Sequence, residues 1–294
     1  MGPDTSEDTP MQTVVSVLFD VTLITMVLAL AAFGLAIIYG LVGVINLGHG
    51  AMLTLGAYFT WAGVEAGLPF FIAVGVAGVG VGIVGLAFEH LVIRHFYDRP
   101  FDTLLLTWGF FLVSTEVVKI VFGTSFRNVT APFPGAIDIG IYSLPAYRTF
   151  VAALSAAIII ATALVFFKTS LGIRIRALIQ NREMASLLGL NIAATYKLVF
   201  AFGAFMAGLA GGLIAPMLSI DPYIGNVYLV RSFFVVIVGG VGQLLAGTLL
   251  GSFFIGGAET IIALFSSQVV AQAAVFFIAI VILRFRPLGL VGGR

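Results

Sequence analysis

Charge is the first thing this chain has little of. Only 9% of its 294 residues are charged, against roughly a quarter in a soluble domain, too few to cover a water-facing surface. Cysteine is absent, which excludes disulfides, a thiolate metal site and a cysteine nucleophile. No G-x-x-x-x-G-K-[ST] occurs, so the chain has no Walker phosphate loop. The net charge of +1 provides no basic face for nucleic acid. No Lys or Arg precedes Arg94, so the start lacks the positive n-region of a signal peptide. The first ten residues, with Asp4, Glu7 and Asp8, read as a polar tail.

What is present is apolar. Hydrophobic residues make up 61%, with Gly 35 and Phe 27, and the mean hydropathy is +1.16. Runs of about 20 apolar residues recur, each enough to cross a ~30 Å hydrocarbon core as a helix. The expected fold class is all-α, a polytopic membrane helix bundle of about 8–9 transmembrane helices. Helix-sized windows place spans at 21–43, 51–67, 69–92, 103–122, 148–168, 198–220, 223–239, 243–264 and 267–284. Residues 11–20 are expected as a separate surface helix. The short 223–239 segment, which carries Arg231, crosses or re-enters. Residues 1–20 thus form a tail, 21–288 a single transmembrane domain, and 289–294 a second tail.

Lys and Arg gather at 94–99, at 168–197 and at 284–294. Nine crossings with the N-terminus outside put all three clusters in the cytoplasm, whereas eight would place the last one outside. The charges favour nine, in a bacterial inner membrane. The sequon at Asn128 would matter only in a secreted or lumenal context, which nothing else in the sequence suggests. The many helical glycines, such as Gly78, Gly82, Gly203 and Gly208, are expected to let helices approach closely.

Two segments differ from ordinary spans. GLVGVINLGHGAMLTLG (40–56) and GGVGQLLAGTLLG (239–251) are apolar stretches interrupted by glycine, one in each half. Interrupted helices expose backbone groups that can contact a solute; two plain connections between spans is the competing reading. Polar side chains in or beside these segments, or within an apolar span, are candidates for a solute pathway: Asn46, His49, Thr54, Thr107, Trp108, Gln243 and Thr248. Interhelical hydrogen bonding is the simpler account of each. His49 stands apart from His90 and His95, with no carboxylate cluster beside it, so no metal site is expected. Glu116 and Lys119 have same-face helical spacing, and Arg231 and Glu259 on different spans can pair, as structural charges. Glu89, His90 and Arg94 are expected at a helix end in the interface.

The 169–197 loop is long, basic and helical in spacing. Ile179, Met184, Leu187, Leu188 and Leu190 give an apolar side, Arg174, Arg176, Asn181, Arg182 and Glu183 a polar one, and Gly189 suits a helix stop. Such a helix binds a lipid surface or a partner. The order Glu183-Met184-Ala185 followed by Gly189 resembles the coupling loop of bacterial ABC importer permeases. INLGHGAMLTLGAY (45–58), MASLLGLN (184–191), DPYIG (221–225), GGVGQLLAGTLLG and RPLGL (286–290) then occur in order. Together they are similar to the permease family of branched-chain amino acid and urea-amide ABC importers, in particular its smaller permease.

That resemblance implies a non-enzymatic subunit that docks ATPases through Arg182, Glu183, Ala185, Leu188 and Gly189. Its partners would be a second related permease, two ATPase subunits carrying ATP and Mg²⁺, and a periplasmic solute-binding protein; this chain itself would bind no cofactor. RPFDTLLLTWG (99–109) and SFFVVIVGGVGQ (232–243) lean the solute to urea or short-chain amides. MASLLGLN and GGAET (256–260) fit the alternative, branched-chain and hydrophobic amino acids. A passive small-solute channel is a competing class, but it gives no reason for a coupling-type loop. An intramembrane protease lacks its residues here: His49 has no G-x-S-x-G partner, and Asp20 is the sole aspartate near a span's interior.

Overall fold

A computed structural model describes residues 10–138 and 143–291, apart from the side chains of residues 10–13, Leu171, Ile179 and Arg182. The acidic tail therefore lies outside the described residues. The order is α1 (Pro10–Val42), α2 (His49–Glu65), α3 (Phe70–Leu91), α4 (Pro100–Phe122), β1 (Ala136–Asp138), β2 (Ser143–Pro145) and α5 (Ala146–Lys168). Then come α6 (Ser170–Gln180), α7 (Arg182–Leu187), α8 (Ile192–Ile214), α9 (Ile224–Gly239), α10 (Ala246–Ser252), α11 (Ala258–Ala263) and α12 (Gln268–Phe285). A π-helical turn, Phe253–Gly257, joins α10 to α11 without a break.

Among the described residues, seven helices are long and apolar enough to cross a membrane, against the eight or nine expected. The other two expected spans, α2 and α9, are helical but have 17 and 16 residues, about 25 Å at 1.5 Å per residue. Both lose a turn to the irregular segments beside them, and both pack mainly against other helices, where backbone is enclosed by protein and length need not match the lipid. Residues 11–20 do not form a separate surface piece. They are the first turns of α1, a 33-residue helix with Pro10 at its first position and no breaker after it. The 123–147 connection adds a departure from all-α: β1 and β2 pair antiparallel with Ile137 opposite Leu144.

The core sits where α8 meets α1, α2 and α3. Phe33, Met52, Tyr58, Phe200 and Met206 are almost wholly buried there. Glycine sets the spacing: a Cβ on Gly56 of α2 would collide with the backbone of Gly208 on α8. Gly34 of α1 and Gly203 of α8 make the same kind of approach. In lipid this close packing, and not water exclusion, drives helix association. The opposite holds at the periphery, where α4, α5 and α12 turn large apolar side chains outward, Phe101, Ile120, Ile160 and Phe277 among them.

The two interrupted segments are turns between helices, and they lie against each other. Gly43, Gly240 and Gly242 take positive φ, a conformation that only glycine adopts without strain. A methyl on Gly40 would meet Gly242 and Leu244 at 3.2–3.4 Å. The RPLGL motif joins them, since Leu290 N–H donates to the Val238 carbonyl at 2.8 Å. The 94–99 turn reaches the same end of the bundle, with the Tyr97 and Tyr196 rings 5.0 Å apart. All three basic clusters therefore meet at the end that bears α6 and α7.

Candidate functional site

Two features stand at opposite ends of the bundle. At the first end, α5 turns sharply into α6: Thr169 accepts from Gly172 N–H, and Arg176 donates to the Phe166 carbonyl while lying over the Phe166 and Phe167 rings. Asn181 Oδ1 caps α7 by accepting from Met184 N–H at 2.9 Å. The helix ends at Gly189, φ +82°, where Gly189 N–H bonds Ser186 and Leu190 N–H bonds Ala185. This paired closure is a Schellman stop. Asn191 then caps α8 through Ala194 N–H at 2.9 Å.

The capped turn of α7 points its apolar groups outward. Ala185 is buried, but Leu187 and Leu188 are 82% and 75% exposed, with Met184 beside them. Glu183 and Gly189 are exposed as well. Arg182 opens α7, and its side chain lies outside the described residues. Behind this surface, an apolar cavity of about 360 Å³ is walled by Phe33, Ile37, Phe166, Ile175, Val199 and Leu244. No charged group lines it.

At the opposite end a second cavity, of about 370 Å³, is polar. Both volumes fall within the ~300–1,000 Å³ typical of small-molecule sites. Here Arg231 Nη2 donates to Glu259 Oε1 at 2.6 Å, and Gln268 Nε2 donates to the same oxygen at 2.6 Å. The π turn at Gly256-Gly257 packs those glycines on Ile24 and Val21 of α1, and Glu259 follows in the first turn of α11. Asp20 of α1 and Arg148 of α5 also line the cavity. They act on each other electrostatically, yet among the described residues they form no ion pair within 4.0 Å. Tyr228 lies in the combined field of Arg148, Arg231 and Glu259.

None of the seven polar side chains singled out from sequence lines this cavity, and they do not converge on one point. His49 Nε2 lies 2.8 Å from the Ala31 carbonyl, tying α2 to α1. Thr54 Oγ1 donates to Gly50 and accepts from Gly225 N–H at 3.1 Å, capping α9 from another helix. Thr107 accepts from Leu47 N–H at 3.1 Å and so holds the 43–48 turn. Asn46 contacts only the Met52 sulfur, at 3.9 Å, and its Oδ1 has no partner among the described residues. Thr248 bonds the Leu244 carbonyl, Gln243 is exposed, and Trp108 stacks on Phe111 with 41% of its surface open. Glu116 and Lys119 pair at 2.7 Å. Glu89, near the end of α3, is buried and accepts from Tyr97 Oη at 2.6 Å, while His90 and Arg94 beside it are exposed. Asp20, Arg148, Tyr228 and Gln268 were missed as site residues; their signal is that Asp20 and Arg148 are isolated charges at span edges, outside the basic clusters.

A family model described as "Branched-chain amino acid transport system / permease component" matches residues 17–284. The chain is 28% identical over 284 residues to the high-affinity branched-chain amino acid transport system permease protein LivH of Escherichia coli (strain K12), covering 90% of this chain and 91% of that protein. It is 26% identical to BraD, the corresponding permease of Pseudomonas aeruginosa, with 90% and 91% covered. It is also 26% identical to the ribose import permease RbsC of Haemophilus influenzae, covering 87% and 81%. Among solved structures, PsaBC from Streptococcus pneumoniae in complex with Fab matches with a TM-score of 0.50, 15% identity and 90% of each chain covered, a likeness of fold. None of these names includes urea or an amide, so the lean to those solutes is unsupported; the amino acid alternative fits the relatives better.

Proposed function

The chain belongs to the branched-chain amino acid transport permease family, and from that membership we propose that it imports branched-chain amino acids as the membrane subunit of an ATP-driven transporter. The observation that carries this reading is the match over residues 17–284, together with relatives whose names specify that solute class. The chain is a multi-pass transporter component, with seven helices fit to span among the described residues.

The energy comes from ATPase subunits that bind ATP and Mg²⁺ and dock on α7. The exposed Leu187 and Leu188 support this reading, since they are presented on a helix capped at both ends. Gathering three basic clusters at that end supports a cytoplasmic location for it. A second permease, homologous or identical, lies against the apolar outer helices, and a solute-binding protein delivers solute to the opposite end. ATP-driven movement of α7 biases the helices around the central α8, so that both sites act on one bistable bundle.

The test is purification from native membrane in mild detergent followed by reconstitution with the accompanying subunits. Stoichiometric ATPase subunits and ATP-dependent leucine uptake are expected. Recovery of the chain without ATPases, with uptake independent of ATP, would overturn the reading in favour of a channel.

A further inference from the structure

The polar cavity contains two acids and two bases of unequal status. Glu259 Oε1 accepts from both Arg231 Nη2 and Gln268 Nε2, while Arg231 Nε is buried without a partner among the described residues. Asp20 and Arg148 face the same space from α1 and α5 without closing into a pair. The α1 side of the wall is aliphatic, with Leu23, Ile24 and Val27, and Tyr228 and Thr260 add hydroxyl groups elsewhere. Asp20 is half-buried and Arg148, in the first turn of α5, is exposed, and each gains a charge-assisted hydrogen bond from an opposite charge brought into the cavity. A free cation satisfies only Asp20 and a free anion only Arg148, and either adds net charge to the site. A zwitterion satisfies both and adds none.

We propose that this cavity is a solute site for an α-amino acid with an aliphatic side chain, in which Asp20 receives the ammonium, Arg148 the carboxylate, and the α1 wall the side chain. Arg offers a planar two-pronged donor set that matches a carboxylate, and Asp accepts from all orientations of an ammonium. The hydrogen bonds from Arg231 and Gln268 hold Glu259 out of the competition for the ammonium. Urea, which has no formal charge, leaves both Asp20 and Arg148 unpaired. The inference rests on the amino acid import reading and deepens it, because it places selectivity within the permease itself.

The test uses the chain purified from its native membrane with the subunits that accompany it, without the solute-binding protein. Binding of radiolabelled leucine is measured by scintillation proximity, in competition with 4-methylpentanoate, which lacks the amine, and isoamylamine, which lacks the carboxylate. Leucine is expected to outcompete both analogues. Arg148→Gln should weaken leucine by about tenfold or more, the scale of one charge-assisted hydrogen bond, and abolish its preference over isoamylamine. Asp20→Asn should abolish the preference over 4-methylpentanoate. Arg148→Lys and Asp20→Glu, which retain charge, should restore part of each preference. Absence of saturable leucine binding to the wild type, or an unchanged competition profile in both neutral variants, overturns the proposal. Leucine uptake by the wild-type complex supplied with its binding protein separates the two readings. No uptake defeats amino acid import, whereas uptake with unaltered variant profiles defeats this site alone.

Discussion

Arg231 on α9 and Glu259 on α11 are 28 positions apart and meet at 2.6 Å, with side-chain exposures of only 18% and 5%. A buried charge stripped of its partner is costly, about 3–5 kcal/mol, while replacing the whole pair by apolar groups is often neutral. Glu259→Leu should therefore lower the melting temperature in detergent strongly, and Arg231→Met together with Glu259→Leu should recover most of the loss. A double variant as unstable as the sum of the single ones would show that the two charges act independently.

Thr54 links two helices through one hydroxyl, which accepts from Gly225 N–H in the first turn of α9. Thr54→Val leaves that buried donor unpaired, a penalty of about 1–3 kcal/mol. Thr54→Ser keeps the bond and should melt near the wild type. Uptake should track stability in both variants. An altered solute preference in the stable serine variant would instead place Thr54 in contact with solute.

Helix spacing predicts a contrast between two glycines. Gly56→Leu drives a side chain into the backbone of Gly208 and should abolish accumulation of folded protein. Gly75 has nothing within 4 Å of its added Cβ, and Ala is a better helix former than Gly by about 1 kcal/mol. Gly75→Ala should express at wild-type level or above, as read by size-exclusion chromatography of a fluorescent fusion.

The surface of α7 is testable without disturbing the bundle. Leu187→Ser with Leu188→Ser removes apolar groups that are 82% and 75% exposed. It should reduce ATPase co-purification several-fold while leaving the melting temperature of the membrane chain unchanged. Glu183→Lys with Gly189→Glu should uncouple ATP hydrolysis from uptake, since it reverses a charge and forces a side chain onto a positive φ. Normal uptake by both variants would remove the coupling role from α7.

Apart from the start of α1, hydropathy placed the long helices of the bundle to within several residues, because burial in lipid is read from local composition. It also placed a stop at Gly189, where the structure has the end of α7. It misjudged α1, since a ten-residue window holds too little to separate a surface helix from the first turns of a longer one. The pathway candidates were selected for being polar within apolar runs. His49, Thr54 and Thr107 turned out to bond backbone groups of other segments, a distinction that depends on a partner many residues away.

The sequence by itself determined that the chain is a helical membrane protein, where its apolar segments lie, and that it carries a long basic loop with helical spacing and a stop at Gly189. All of these follow from the nature and spacing of neighbouring residues. Only the tertiary structure decided that the two glycine-interrupted segments touch and that Asp20 and Arg148 face one cavity beside the Arg231–Glu259 pair. Those relations join residues of helices distant in sequence, and no local spacing of residue types encodes which helices pack together.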